Sequence, residues 1–245
     1  MAKHVESSWS AKAGEKLSFG SEFGITAGQM CFYPMVKDAK KAMDDAKAGR
    51  NSEELENTIL NIVVSPGVVS VSVHPDYNGG IAHALFYGLT KREHIEKKHL
   101  HGEVVSYGTL VNLMVDKDWD KLKLAYGVNK SIDLPVCLAD LELEKDDKLE
   151  DVLEATMANQ EMTHTPYPVT KEIIYQAIHD LEDYKDSIRG FYFGIDKLPG
   201  KIITKEEELP DAIRDSIDNF VYDDKYREFN ETFSKREDGQ ASAVS

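Results

Sequence analysis

Two histidines eighteen positions apart carry the residue type that could do chemistry in this chain: His83, in Ala-His-Ala-Leu-Phe-Tyr-Gly-Leu-Thr, and His101, in His-Gly-Glu-Val-Val-Ser-Tyr-Gly. Neutral imidazoles are common ligands of divalent ions, and an ion held by imidazoles with one position open polarises a bound oxygen. On one unbroken helix, eighteen residues at about 1.5 Å rise would leave the two rings roughly 27 Å apart, whereas two imidazoles on one zinc each bring a nitrogen to about 2.1 Å. The pair therefore belongs on two converging elements. The sequence supplies the break: Gly88-Leu89-Thr90 closes the first segment, and the charged run Lys91 to Lys98 separates it from a second helix opening at His101-Gly102.

The other polar candidates carry smaller expectations. His94 and His99 lie in the charged connection and are expected in solvent. His164 could face a cleft or serve in packing. Tyr87 and Tyr107 follow the two histidines by four and six positions and are expected to be core side chains rather than substrate contacts. Cys31 and Cys137 are too few and too far apart for a disulfide framework, and each reads as a small buried apolar side chain.

The elements around the histidines read as helix after helix. Residues 24–48 place Met30, Val36, Ala39, Met43 and Ala46 at three-to-four spacing, with Pro34 expected to kink or divide the run and Gly49 to end it. Asn51 and Glu54 resemble a capping box before a stripe of Leu55, Ile59, Ile62 and Val63, which Ser65-Pro66-Gly67 is expected to stop. Val69, Val71 and Val73 alternate with serines, a period-two pattern that predicts an extended loop there. The segment after His101 is apolar nearly all round and predicts a buried helix with His101 at its amino end. Leu149, Val152, Leu153 and Thr156 mark a further helix, as do Ile173, Ile174, Ala177, Ile178 and Leu181 behind Pro168 and Thr170. The sum predicts an all-α bundle.

Composition narrows the function classes. A net charge of −15 over 245 residues disfavours phosphate backbones and anionic membrane surfaces, so neither nucleic acid nor membrane is expected as a partner. No apolar stretch is expected to reach the roughly 18 residues of a spanning helix, and no apolar signal core follows Met1, which makes the cytoplasm the default compartment. Residues 1–185 read as one helical domain. Residues 186–245 read as an extra acidic segment with one amphipathic helix, through Leu209, Ile213, Ile217 and Phe220, and a disordered tail from Ser234.

The two histidine segments resemble the metal-binding half of the iron-containing alcohol dehydrogenase family, most closely its glycerol dehydrogenase branch. Met1-Ala2-Lys3 with Glu6, Asp44-Asp45-Ala46-Lys47-Ala48-Gly49, Leu134-Pro135-Val136-Cys137-Leu138-Ala139-Asp140-Leu141 and His164-Thr165-Pro166-Tyr167-Pro168-Val169-Thr170 follow the same family pattern in order, so the likeness covers about residues 1–185. The resemblance implies His83 and His101 as ligands of a divalent metal, zinc or iron, and a small alcohol or polyol as substrate. It implies NAD only through a nucleotide-binding domain whose Gly-rich phosphate loop is not in these residues. The family's third ligand is an aspartate that alignment on Ala2-Lys3 places just ahead of Met1. His4 and Glu6 are the nearby side chains that could replace it, although His4 occupies an aromatic position of the pattern. The family's Gly-rich stretch before the first histidine reads here Val73-His74-Pro75-Asp76-Tyr77-Asn78-Gly79-Gly80.

Two readings follow. In one, the chain is the metal- and substrate-binding half of a metal-dependent, NAD-linked dehydrogenase and takes its nucleotide-binding half from a separate polypeptide or another segment. In the other, it is a non-catalytic helical remnant or interaction domain, inactive alone. No catalytic side chain beyond the ligands is assigned, and a homo-oligomer is compatible with both.

Overall fold

The computed structural model describes residues 1–145, 147–187, 199 and 208–233. It divides into two compact units, residues 1–187 and 188–245. All regular structure among the described residues is helical.

Among the described residues of the first unit there are ten α-helices: α1 (Ala2–Ser10), α2 (Phe19–Ala27), α3 (Tyr33–Lys47), α4 (Glu53–Ser72), α5 (Ile81–Leu89), α6 (Glu93–Lys98), α7 (His101–Asp116), α8 (Trp119–Ser131), α9 (Glu150–Met157) and α10 (Lys171–Ser187). Helix α7 is its centre. From Val104 to Val115 all but Ser106 are buried, and α1, α5, α8 and α10 pack around it. Two glycines set how closely the neighbours approach. A methyl group at Gly108 of α7 would lie 2.6 Å from the carbonyl oxygen of Ala82 in α5. One at Gly88 of α5 would lie 2.4 Å from Thr156 Oγ1 and 2.5 Å from the carbonyl oxygen of Val152 in α9. Helix α5 is thus held hard against both α7 and α9. With Ala82 over Gly108 and Phe86 over His101, α5 and α7 run in opposite directions.

The expected turn chemistry holds in several places. Pro34 falls in the first turn of α3, where its missing N–H costs nothing, so the 24–48 run is divided rather than kinked. Gly49 follows α3 at φ +64°, and its N–H bonds to the carbonyl of Ala46. Both cysteines are buried and free.

Helix α4 departs from expectation at both ends. Its cap is Ser52, whose hydroxyl accepts from the N–H of Leu55, one residue after the expected Asn51. It also runs through Pro66 to Ser72, so neither the stop at Ser65-Pro66-Gly67 nor the extended loop is formed. The alternation of Val69, Val71 and Val73 has a helical explanation. Residues four apart share a helix face, so Val69 and Val73 are both buried, while Val71, opposite them, is 85% exposed. Because the helix is not broken, its 20 residues include an 18-residue window of mean hydropathy 1.2, long and apolar enough to cross a membrane by length and composition alone. The expectation that no stretch reaches that length is corrected accordingly; α4 packs here against α2 and α3.

In the second unit, α11 (Leu209–Asp218) forms where the amphipathic stripe predicts it, and α12 (Asp224–Phe233) is a second helix that the stripe did not predict. The tail expected from Ser234 lies outside the described residues.

Candidate metal centre

The elements converge on the two histidines. Val73 ends α4 in extended backbone, a 3₁₀ turn at Pro75–Tyr77 follows, and Gly80 leads into α5, which places His83 in that helix's first turn. Leu100 leads into α7, so His101 is its first residue, and the N–H of Leu100 donates to the Glu103 carboxylate one turn on. The ring centres of His83 and His101 are 5.6 Å apart, and Phe86 packs edge-on against His101 at 4.3 Å. With a metal–nitrogen distance of about 2.1 Å and a ring radius of about 1 Å, two imidazoles on one tetrahedral ion stand with centres about 5 Å apart. The observed separation matches that requirement closely.

Behind His83 lies Glu6 of α1, which is 0% exposed. One carboxylate oxygen accepts from the backbone N–H of His83 at 3.0 Å, and the other lies 2.6 Å from His83 Nδ1. Burial pushes the pKa of His83 down, but the hydrogen bond and charge of Glu6 outweigh it, and the net shift is upward. At His101 burial lowers the pKa, and the neighbouring His83 charge lowers it further. In front of His83 a cavity of about 520 Å³ opens, lined among others by Lys3, Asp76, Asn78, Gly79 and Glu161. Lys3 Nζ donates to the carbonyl of Asn78 at 2.6 Å, and Glu161 lies directly over Gly79, where a methyl group would fall 1.4 Å from its Oε2.

A third ligand does not join the pair. Among the described residues no group of three or more His, Cys, Asp or Glu side chains is placed to hold a metal ion. Glu6 spends both oxygens on His83, and His4 packs against the rings of Phe32 and Tyr33 with neither ring nitrogen hydrogen-bonded. The residues present thus fit two ligands of an ion and the carboxylate behind one of them.

Several smaller expectations are corrected. His94 and His99 are half-buried rather than solvated, because the connection folds into α6; His99 Nδ1 lies 3.5 Å from the Glu103 carboxylate. Tyr107 is fully buried, as expected, but Tyr87 is 45% exposed. His164 serves in packing: its Nδ1 is 2.6 Å from the buried Ser10 hydroxyl and its Nε2 3.1 Å from the Glu15 carboxylate, which also accepts from Tyr77. The role of Glu6 behind His83 was missed in the sequence, since the two lie 77 positions apart on different helices and no local spacing says which carboxylate meets a helix amino end; only its place in the family pattern singled it out.

The chain and its fold have relatives. The chain is 26% identical over 188 residues, 76% of its length, to hydroxycarboxylate dehydrogenase A of Escherichia coli (strain K12), of which it spans 52%. A probable glycerol dehydrogenase from Sinorhizobium meliloti 1021 has the same fold with a TM-score of 0.67 and 26% identity, over 77% of this chain and 54% of that one. Glycerol dehydrogenase from Schizosaccharomyces pombe shares the fold alone, at 22% identity and a TM-score of 0.65, over 76% of this chain and 48% of that one. The chain therefore carries an iron-containing alcohol dehydrogenase-like helical domain. Within that class it is glycerol dehydrogenase-like, and it spans about half the length of these relatives. A family model described as CDP-Glycerol:Poly(glycerophosphate) glycerophosphotransferase matches residues 167–244, which include the segment for which the sequence offered no likeness.

Proposed function

We propose that this chain is the metal- and substrate-binding half of a metal-dependent, NAD-linked alcohol or polyol dehydrogenase, with His83 and His101 as two ligands of a divalent ion. The nucleotide-binding half and the remaining ligand come, in this reading, from outside the described residues. The observation that carries it is the 5.6 Å separation of the two rings, reached by two helices whose approach Gly108 fixes.

An ion at this place supplies Lewis acidity that makes a bound alcohol easier to deprotonate. The chain's own residues do the rest of the positioning. His101, with its pKa lowered, is neutral at physiological pH and free to ligate. Asp76, Asn78 and Glu161 line the cavity beside His83 and offer hydrogen-bond partners to hydroxyl groups.

The test is calorimetric titration of the metal-stripped chain with Zn²⁺, beside a His83→Ala, His101→Ala double variant. One site that vanishes in the variant supports the reading. The lack of a third ligand among the described residues favours the second reading, a non-catalytic remnant or interaction domain, and binding that is weak or unchanged by the substitutions would support it.

A further inference from the structure

We infer that Glu6 is a positioning residue that fixes His83 in the tautomer protonated at Nδ1 and so presents Nε2 as its ligating nitrogen. The inference rests on the reading that His83 holds an ion, but its geometry stands independently.

Helix α5 begins at Gly80, which has no side chain to cap the first turn, and the N–H of His83 is one of the donors left without an intrahelical partner. Glu6, from α1, supplies the missing acceptor at 3.0 Å. The space for it is made by the same glycine, since a methyl group at Gly80 would meet Glu6 Cγ at 3.2 Å and Trp9 at 3.1 Å. The second oxygen is then pinned 2.6 Å from Nδ1 of the same residue. A carboxylate only accepts hydrogen bonds, so Nδ1 must carry a proton, and the lone pair of the neutral ring resides on Nε2. One buried group thus caps a helix and orients a ring, and both functions require two acceptors on one side chain. A glutamine has a single acceptor oxygen and an NH₂ donor. With its oxygen on the His83 N–H, its NH₂ faces Nδ1, which must then accept, and the ring proton moves to Nε2, where it blocks a ligand. An aspartate is one methylene shorter and holds its carboxylate back from both donors.

The deciding experiment is long-range ¹H–¹⁵N spectroscopy of histidine-labelled full chain without metal, at a pH where the rings are neutral, with His83 assigned by its loss in His83→Ala. The expected result is the Nδ1–H tautomer in the wild type, the Nε2–H tautomer in Glu6→Gln and no change in Glu93→Gln, an exposed carboxylate paired with Lys97. The same Glu6→Gln variant is expected to bind Zn²⁺ about 10–100-fold more weakly. An Nε2–H tautomer in the wild type overturns the inference, as does an unchanged tautomer or unchanged Zn²⁺ affinity in Glu6→Gln. The wild-type spectrum decides even if that variant fails to fold. An Nδ1–H tautomer in a protein that binds no ion supports the positioning by Glu6 and overturns the metal reading instead.

Discussion

Gly108 of α7 lies so close to Ala82 of α5 that a methyl group there would sit 2.6 Å from the Ala82 carbonyl oxygen and 2.9 Å from its Cα. His83 is the next residue, so this contact sets the height of His83 over α7. Replacing Gly108 by alanine would gain about 1 kcal/mol of helix propensity. It would also force two backbones apart, at about 1–3 kcal/mol or more. We predict a net loss of stability in urea denaturation and a weaker Zn²⁺ titration, because α5 must move away from His101. A variant as stable as the wild type would show that the helices separate freely.

Gly79 makes the opposite case. A methyl group there would meet the far end of Glu161, 1.4 Å from its Oε2, rather than backbone. A flexible side chain swings aside cheaply, so Gly79→Ala is expected to change stability by less than about 1 kcal/mol. What it changes is the cavity, since Glu161 is displaced from its place beside His83. A change in the His83 ring signals without a shift in the unfolding midpoint is the expected result; a large loss of stability would mean that Glu161 has nowhere to go.

Much of this architecture was legible in the sequence where periodicity alone decides. The run from Val104 to Val115, apolar nearly all round, pointed to a buried helix, and the pairing of His83 with His101 followed from their contexts and the break at Gly88. Helix α4 was not legible, because its valine alternation satisfies two periods at once and its proline favours the wrong one. Only the packing of Val69 and Val73 against α2, where Gly24 gives room at 2.6 Å from Val73 Cγ1, selects the helix. The partner of His83 was hidden for a different reason: Glu6 acts across the fold, between residues that no local pattern connects.

Pro66 offers a direct test of α4. Inside a helix, proline removes one backbone hydrogen bond and crowds the carbonyl four residues earlier, that of Ile62. Pro66→Ala is expected to stabilise the chain by about 1–3 kcal/mol, less whatever the more flexible unfolded chain regains. If α4 instead broke at Ser65, the substitution would stabilise little and would raise the helical circular dichroism by extending a helix that was not there.

The pH dependence of stability follows from His4. Its ring is 6% exposed, lies 5.6 Å from that of Phe32, and has no hydrogen-bond partner for either nitrogen. Burial, aided by the charge of Lys121, lowers its pKa from 6.5 to about 4. Between those values the unfolded chain binds a proton that the folded chain excludes, so stability rises with pH across the window. The contribution is complete above the unfolded value and is lost as pH falls toward the folded one. At about 1.4 kcal/mol per pH unit it amounts to roughly 3 kcal/mol in all. Carboxylates titrating in the same range act on any variant alike, so the comparison with His4→Phe isolates the histidine. The phenylalanine ring fits an aromatic pocket and cannot protonate, and the variant should gain on the wild type steadily as pH is lowered from 7 to 4. A stability difference that stays constant over that range would show that His4 takes up a proton within the fold as readily as in the unfolded chain.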